Sequence, residues 1–334
     1  MAELNVSMSP HAPVIVTAPR VHDFSGALSW LRDNLSAMKD LVVEHGHLMI
    51  RGLPVTSESE FAAIRDAIIT NPSDYKEQAT PRTDFGHGVF SSTDFPAAQV
   101  IKLHNENSYT LSFPSTLLFC CLVAPDSGGA TTVGDVRRIL QILPADLVEK
   151  FRDMGWLLTR NYRSHVSLPW QTAFSAESRS DVADYCSRNE IGHAWLGQDH
   201  LRTAQRRSAI IHHPVTGEAV WFNHVNFWSR WSLDAEVRET LIEVFGKEGL
   251  PFDTCFGNGE EIGEEVAKQL DNAYEEVTVR ESWQAGDLMI VDNILSAHGR
   301  ESFTGSRKVL VAMGDPVDLA ECQPTSPISA VVPS

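Results

Sequence analysis

His104 and Glu106 are separated by one residue, and His298 lies far down the same chain. On an extended strand, side chains two positions apart point to the same face. An imidazole and a carboxylate at that spacing can bind one metal ion from adjacent positions, with a second imidazole arriving from a distant strand. Two histidines and one carboxylate leave positions of an Fe(II) ion open for a cosubstrate and O₂. The pattern H-x-E is short and recurs by chance, and a lone histidine at a strand end is more often a hydrogen-bonded structural residue. Arg307, on the strand expected to follow His298, adds a second kind of chemistry. Its guanidinium grips a carboxylate in a bidentate fork that lysine cannot reproduce. A dicarboxylate held at one end by Arg307 could chelate iron with the other. The plainer alternative pairs Arg307 with an acid such as Glu301.

The elements that must position these groups read mainly as strands. Helical spacing of Leu28, Leu31, Leu35, Met38, Leu41 and Val42 predicts an amphipathic helix over 25–44, ended by Gly46. A short buried strand follows at 47–52, then a second helix over 57–70 with Ser57 and Glu60 placed as a capping box. Residues 71–96 read as a long loop near the site. Residues 100–109 and the apolar run 115–124 read as strands, and Gly128-Gly129 turns the chain into another at 130–133. The stretch 136–208 reads as a helical insertion, broken by Pro144. A hairpin over 209–223, helices over 234–245 and 260–274, and strands at 277–280, 287–292 and 308–313 complete the count. The expectation is one domain over 1–334, mainly β with flanking helices, its double-stranded β-helix (jelly-roll) core formed by 100–135 and 209–315. Residues 1–75 supply the N-terminal helices and strand, and 316–334 a peripheral tail.

Composition narrows the functions. A net charge of −17 disfavours nucleic acid or an anionic membrane as partner. No apolar run is long enough to span a bilayer, and the N-terminus lacks a basic region followed by an apolar core. Five cysteines without regular spacing fit a reducing cytoplasm, with Cys120 and Cys121 as small core residues. No internal repeat, Walker A loop or GxGxxG motif is present. His212 and His213, being adjacent, face opposite ways on a strand and cannot readily share a metal.

The matching pieces His45-Gly46 to Arg51-Gly52, Pro81-Arg82, Leu103 to Tyr109, Pro114 to Cys120, Gly128 to Asp135, His213 to Asn223, Trp283 to Asn293 and His298 to Arg307 run in order along about residues 40–315. In this the chain resembles the taurine-dioxygenase/clavaminate-synthase-like family of Fe(II)- and 2-oxoglutarate-dependent oxygenases, in its natural-product branch. The resemblance implies that His104, Glu106 and His298 bind Fe(II), that Arg307 binds the distal carboxylate of 2-oxoglutarate, and that Thr131 hydrogen-bonds this cosubstrate. Many members have Asp where this chain has Glu106. Glutamate occurs in the amino-acid-hydroxylating branches, and it disfavours halogenation, for which relatives carry a small residue there.

The implied reaction couples oxidative decarboxylation of 2-oxoglutarate with O₂ to attack on an unactivated C–H bond. The expected substrate is a small molecule, an amino acid either free or tethered to a carrier protein, hydroxylated in antibiotic or other secondary-metabolite biosynthesis. Substrate-side candidates are Arg82, as a clamp for a carboxylate, with Asn107, Ser108, Tyr109, Asn223 and His224. The alternatives are a desaturase or cyclase of the same family, a Zn- or Mn-dependent hydrolase or isomerase on the same barrel, and a non-catalytic relative.

Overall fold

The computed structural model describes residues 4–333 apart from 22, 74–76, 78–81, 87, 93–94 and 165. Of the pair Pro81-Arg82, only Arg82 lies within the described residues. The first helix spans Phe24–His45, with Asp23 accepting from the Gly26 N–H at its start. Gly46 ends it in the left-handed region, φ 79°, donating its N–H to Val42. A side chain at 46 would collide with the Ser296 hydroxyl, which is itself bonded to His47 Nδ1 at 3.0 Å. The helix exit is therefore fitted against the strand that carries His298. The second helix, Glu58–Ile68, is capped by Ser57. Its expected reciprocal arm is displaced, because Glu60 accepts the Thr56 N–H at 2.7 Å.

The largest sheet among the described residues has seven strands, in the order Asn5–Ser9, Ala12–Thr17, His47–Arg51, Leu288–Asp292, Ser112–Val123, Lys308–Asp318 and Phe90–Ser91. All neighbours are antiparallel except Ala12–Thr17 beside His47–Arg51. Its central strands are apolar on both faces, and the period of two sorts each residue to its side. Leu118, Cys120, Leu288, Ile290, Leu310 and Ala312 meet the two N-terminal helices through Leu31, Met38, Phe61 and Ile64. Their chain neighbours Leu117, Phe119, Cys121, Met289, Val291, Val309 and Val311 face the other way, onto Val133. Val133 belongs to a four-stranded sheet ordered Thr278–Val279, Thr131–Asp135, Ser296–Arg300 and Ile101–His104. Two sheets thus face each other across one core. All five cysteines are free, and Cys120 and Cys121 are core residues as expected.

Several segments differ from expectation, among them the N-terminus, where strands Asn5–Ser9 and Ala12–Thr17 precede the first helix, and the expected loop 71–96, which carries strand Phe90–Ser91. The strand expected over 100–109 ends at His104. The segment 136–208 is mixed: helices Val136–Ile142 and Ala145–Met154 break at Pro144 as expected, but strands Trp156–Tyr162, Gly192–Trp195 and Leu201–Arg207 follow. They form a separate antiparallel sheet with Phe252–Phe256 and Ser329–Ala330. Trp156, Leu158 and Arg160 are buried with Leu157 and Thr159 half-buried between them, a period of two that the sequence hides by placing Leu outward and Arg inward. The tail 316–334 is not peripheral. Leu319 and Cys322 are buried in the largest core cluster, and Ser329–Ala330 pairs with Gln205 and Arg206. Elsewhere, the hairpin Ile210–His212 with Ala219–Trp221 and the helix Ala235–Phe245 form where expected. The next helix starts late, at Glu264, because Phe256 and Glu260 close a tight turn first.

Candidate metal centre

Ser296–Arg300 is an inner strand of the small sheet, with Thr131–Asp135 on one side and Ile101–His104 on the other. In this register His298 stands directly opposite His104, and the two rings lie 4.4 Å apart between centroids. Gly299 makes the fit possible: a Cβ there would press on the Ile101 carbonyl oxygen and the Thr132 hydroxyl. The two imidazoles are brought together by backbone pairing, not by loops.

Glu106 arrives differently. It lies in a turn beyond the strand, and the following Asn107 has φ 54°. The same-face argument for residues 104 and 106 therefore does not apply; a turn delivers the carboxylate. That turn is held from the far end of the chain by Asn293. Its Oδ1 accepts the Glu106 N–H at 2.7 Å, and its Nδ2 donates to the carbonyls of Glu106 at 2.9 Å and Pro114 at 2.8 Å. Asn105 answers by donating to the Asn293 carbonyl at 2.7 Å. All these groups are buried, so their loss leaves unsatisfied backbone. Asn293→Ala is expected to cost about 3 kcal/mol of stability, at about 1 kcal/mol per bond, read as a lowered urea midpoint. It should also weaken metal binding, because the Glu106 turn is no longer pinned.

One ligand atom from each of His104, Glu106 and His298 lies within 4.8 Å of the others, a spacing that suits one ion. The three are 9%, 3% and 5% exposed. Burial lowers the imidazole pKa of His104 and places that of His298 well below its usual value, which keeps both neutral and able to ligate. His104 Nδ1 lies 2.9 Å from the Lys102 carbonyl oxygen, so it donates there and leaves Nε2 for a metal. The donor set, two neutral imidazole nitrogens and a carboxylate, fits Fe(II).

A small cavity joins these histidines to Thr131 and Arg307, with Ser92, Ile101, Phe119, Gly299 and Arg300 in its wall. Arg307 precedes the strand Lys308–Asp318, and its guanidinium is fixed by three bonds. Nε donates to the Gly129 carbonyl at 2.8 Å, and the terminal nitrogens reach Ser92 Oγ at 3.0 Å and Thr131 Oγ1 at 3.4 Å. The pairing with Glu301 does not occur; that carboxylate meets Arg280. Burial, with Arg300 nearby, pulls the Arg307 pKa down to about 10, still cationic at neutral pH. A fixed buried cation beside two imidazoles is an arrangement for an anion that also reaches the metal.

The substrate-side candidates divide. Arg82 does enter the site, but toward Glu106, whose Oε2 it meets at 2.7 Å. His224 packs its ring 5.2 Å from that of His104 and shares a hydrogen bond with Ser108 at 2.6 Å. Tyr109 is buried in the wall beside His224, its hydroxyl donating to the Glu77 carbonyl at 2.8 Å and toward Asn107 Oδ1 at 3.3 Å. Asn223, expected on the substrate side, has its amide engaged by backbone. Both ends of its amide bond local backbone, at Ala209 and Val225. Sequence reading missed Asn105, Asn293 and Ser92, along with Phe227 and Phe119 that pack at 4.6 Å on His104 and 5.3 Å on His298. None of these carried a signal in the sequence: Phe119 stands in a run that is apolar on both faces, where no alternation marks the side toward the site.

A two-sheet frame that sets paired histidines and a carboxylate beside an arginine-capped cavity defines a metal-dependent enzyme with an anionic cosubstrate. Comparison with known proteins is specific: residues 9–313 match the family described as taurine catabolism dioxygenase TauD, TfdA family. The chain is 36% identical over 278 residues to the dapdiamide synthesis protein DdaC of Enterobacter agglomerans, covering 83% of this chain and 84% of that one. A solved taurine dioxygenase from Burkholderia xenovorans superposes with a TM-score of 0.54 at 15% identity, covering 99% of this chain and 95% of that chain. PvcB, described as an Fe, alpha-ketoglutarate dependent oxygenase from an isonitrile synthetic pathway, does so at 0.51 with 15% identity, over 91% and 86% of the two chains. The protein belongs to the TauD/TfdA dioxygenase family, and with it to the Fe(II)- and 2-oxoglutarate-dependent oxygenases. Among the described residues, no helix is long and apolar enough to cross a membrane.

Proposed function

We propose that this oxygenase hydroxylates an unactivated C–H bond of an amino acid, free or tethered to a carrier protein, in the biosynthesis of a secondary metabolite. The observation that carries the reading is a cavity that joins His104 and His298 to Thr131 and Arg307. His104, Glu106 and His298 hold Fe(II) in this reading, and Arg307 takes the distal carboxylate of 2-oxoglutarate with Thr131 as a hydrogen-bond partner. When bound, iron with 2-oxoglutarate and O₂ supplies the oxidising power, and the cosubstrate leaves as succinate and CO₂. The chain itself supplies position and dryness. Arg307 orients the cosubstrate, Lys102 fixes the His104 tautomer, Asn293 sets the Glu106 turn, and Phe119 and Phe227 exclude water beside the two histidines.

The likeness to a dapdiamide synthesis protein supports a role in secondary metabolism and a small-molecule substrate. The facing sheets are read as the double-stranded β-helix of a single domain, and the free cysteines fit a cytoplasmic setting. The test is anaerobic. Fe(II) and 2-oxoglutarate added to metal-free protein are expected to give a weak visible metal-to-ligand charge-transfer band. Amino acids are then screened for stimulated succinate formation. No band with Fe(II) bound would defeat the cosubstrate assignment; a band without stimulation by any amino acid, free or carrier-loaded, would defeat the substrate class.

A further inference from the structure

Arg82 and Glu106 form an ion pair in which the side chains are 5% and 3% exposed, joined at 2.7 Å. The oxygen involved, Oε2, is also the one that lies 3.7 Å from His298 Nε2. The guanidinium therefore contacts the same carboxylate oxygen that faces the second imidazole. We propose that Arg82 and the metal ion compete for the Glu106 carboxylate, so that metal binding releases Arg82 toward an anionic group of the substrate. This rests on the assignment of His104, Glu106 and His298 as metal ligands.

The argument is one of charge. A carboxylate this deeply buried needs a counter-cation, and Arg82 provides it when no ion is present. A dication among the three ligands makes that guanidinium redundant and repels it at short range, where burial leaves little screening. Arg82 cannot lose its charge to relieve this, because a guanidinium stays protonated. What remains is movement. The displaced cation stays beside the pocket, as a partner for a substrate carboxylate. Metal loading would then precede, and enable, recognition of an anionic substrate. Removing Arg82 should accordingly tighten metal binding, because the metal-free state would be left with a buried unpaired carboxylate. An ordinary outer partner of a ligand behaves in the opposite sense, its loss weakening binding by about 10–100-fold.

The experiment titrates the full-length metal-free protein with Mn(II), following the free ion by electron paramagnetic resonance. Arg82→Ala and Arg82→Gln are expected to bind about tenfold more tightly or better, a part of the cost of an unpaired buried carboxylate. Arg82→Lys, which keeps the cation, should stay near the unaltered protein. Thermal melting identifies a variant that fails to fold, and the glutamine variant, closest in size and polarity, then carries the test. Equal or weaker binding in the folded variants overturns the competition. His104→Ala separates the two layers. Unchanged Mn(II) binding there would mean that the metal site itself is misassigned; binding lost there, with no tightening in the Arg82 variants, defeats the competition alone.

Discussion

His104→Ala is expected to weaken Fe(II) binding by more than about a hundredfold and to reduce succinate formation to background. Loss of an outer partner of a metal ligand typically costs about 10–100-fold, and a direct ligand must cost more. The geometry leaves no substitute. His104 Nδ1 is committed to the Lys102 carbonyl, so only Nε2 can serve the ion. The nearest other imidazole, His224, is held by Ser108 at 2.6 Å. The fold should survive, because His104 lies at a strand end. Anaerobic titration with Fe(II) and 2-oxoglutarate reads the result directly as loss of the charge-transfer band. A band of undiminished strength in a folded His104→Ala protein would remove His104 from the ligand set.

Arg307→Ala is expected to raise the 2-oxoglutarate concentration for half-saturation by about a hundredfold or more. Removing one member of a buried, hydrogen-bonded charge pair costs about 2–5 kcal/mol, and about 1.4 kcal/mol is a factor of ten. Arg307→Lys should recover little, because the ammonium cannot reproduce both the planar fork and the bond to Gly129. The effect should be selective: Mn(II) affinity without cosubstrate stays near that of the unaltered protein, while the demand for 2-oxoglutarate rises. If metal affinity falls together with 2-oxoglutarate binding, Arg307 is holding the Gly129 turn rather than a ligand, and melting of the variant would show it.

The chemistry was more legible in the chain than the architecture that serves it. Residue type and spacing brought His104, Glu106, His298 and Arg307 forward, but the short H-x-E pattern recurs by chance, and their roles came from the resemblance that runs in order along residues 40–315. Strand alternation, used to place Glu106 beside His104, was the wrong device, since the strand stops at His104 and a turn takes over. What holds that turn is Asn293, 187 residues away from Glu106, and no local pattern announces such a bond. The same limit hid the tail. Its prolines and serines read as loose chain, while the burial of Leu319 and Cys322 depends on surfaces supplied by other elements. Asn223 shows the converse, a polar residue at a suggestive place whose amide serves its own backbone.

The pairing of His104 with His298 has a consequence for the unfolding of the molecule. Among the described residues, Ile101–His104 is the edge of its sheet, bonded to one neighbour, and segments with fewer protected backbone bonds open first. An ion bound by both strands would act as a removable staple on that edge, closing a loop that contains more than half of the chain. Cross-links across long loops restrict the unfolded ensemble most in theory, so the ion should stabilise the whole molecule as well as its site. Chelation is therefore expected to lower the melting temperature and to speed hydrogen exchange at residues 101–104 before it does so in the seven-stranded sheet. Iron in this protein would serve as a fastening of the fold as well as its reactive centre.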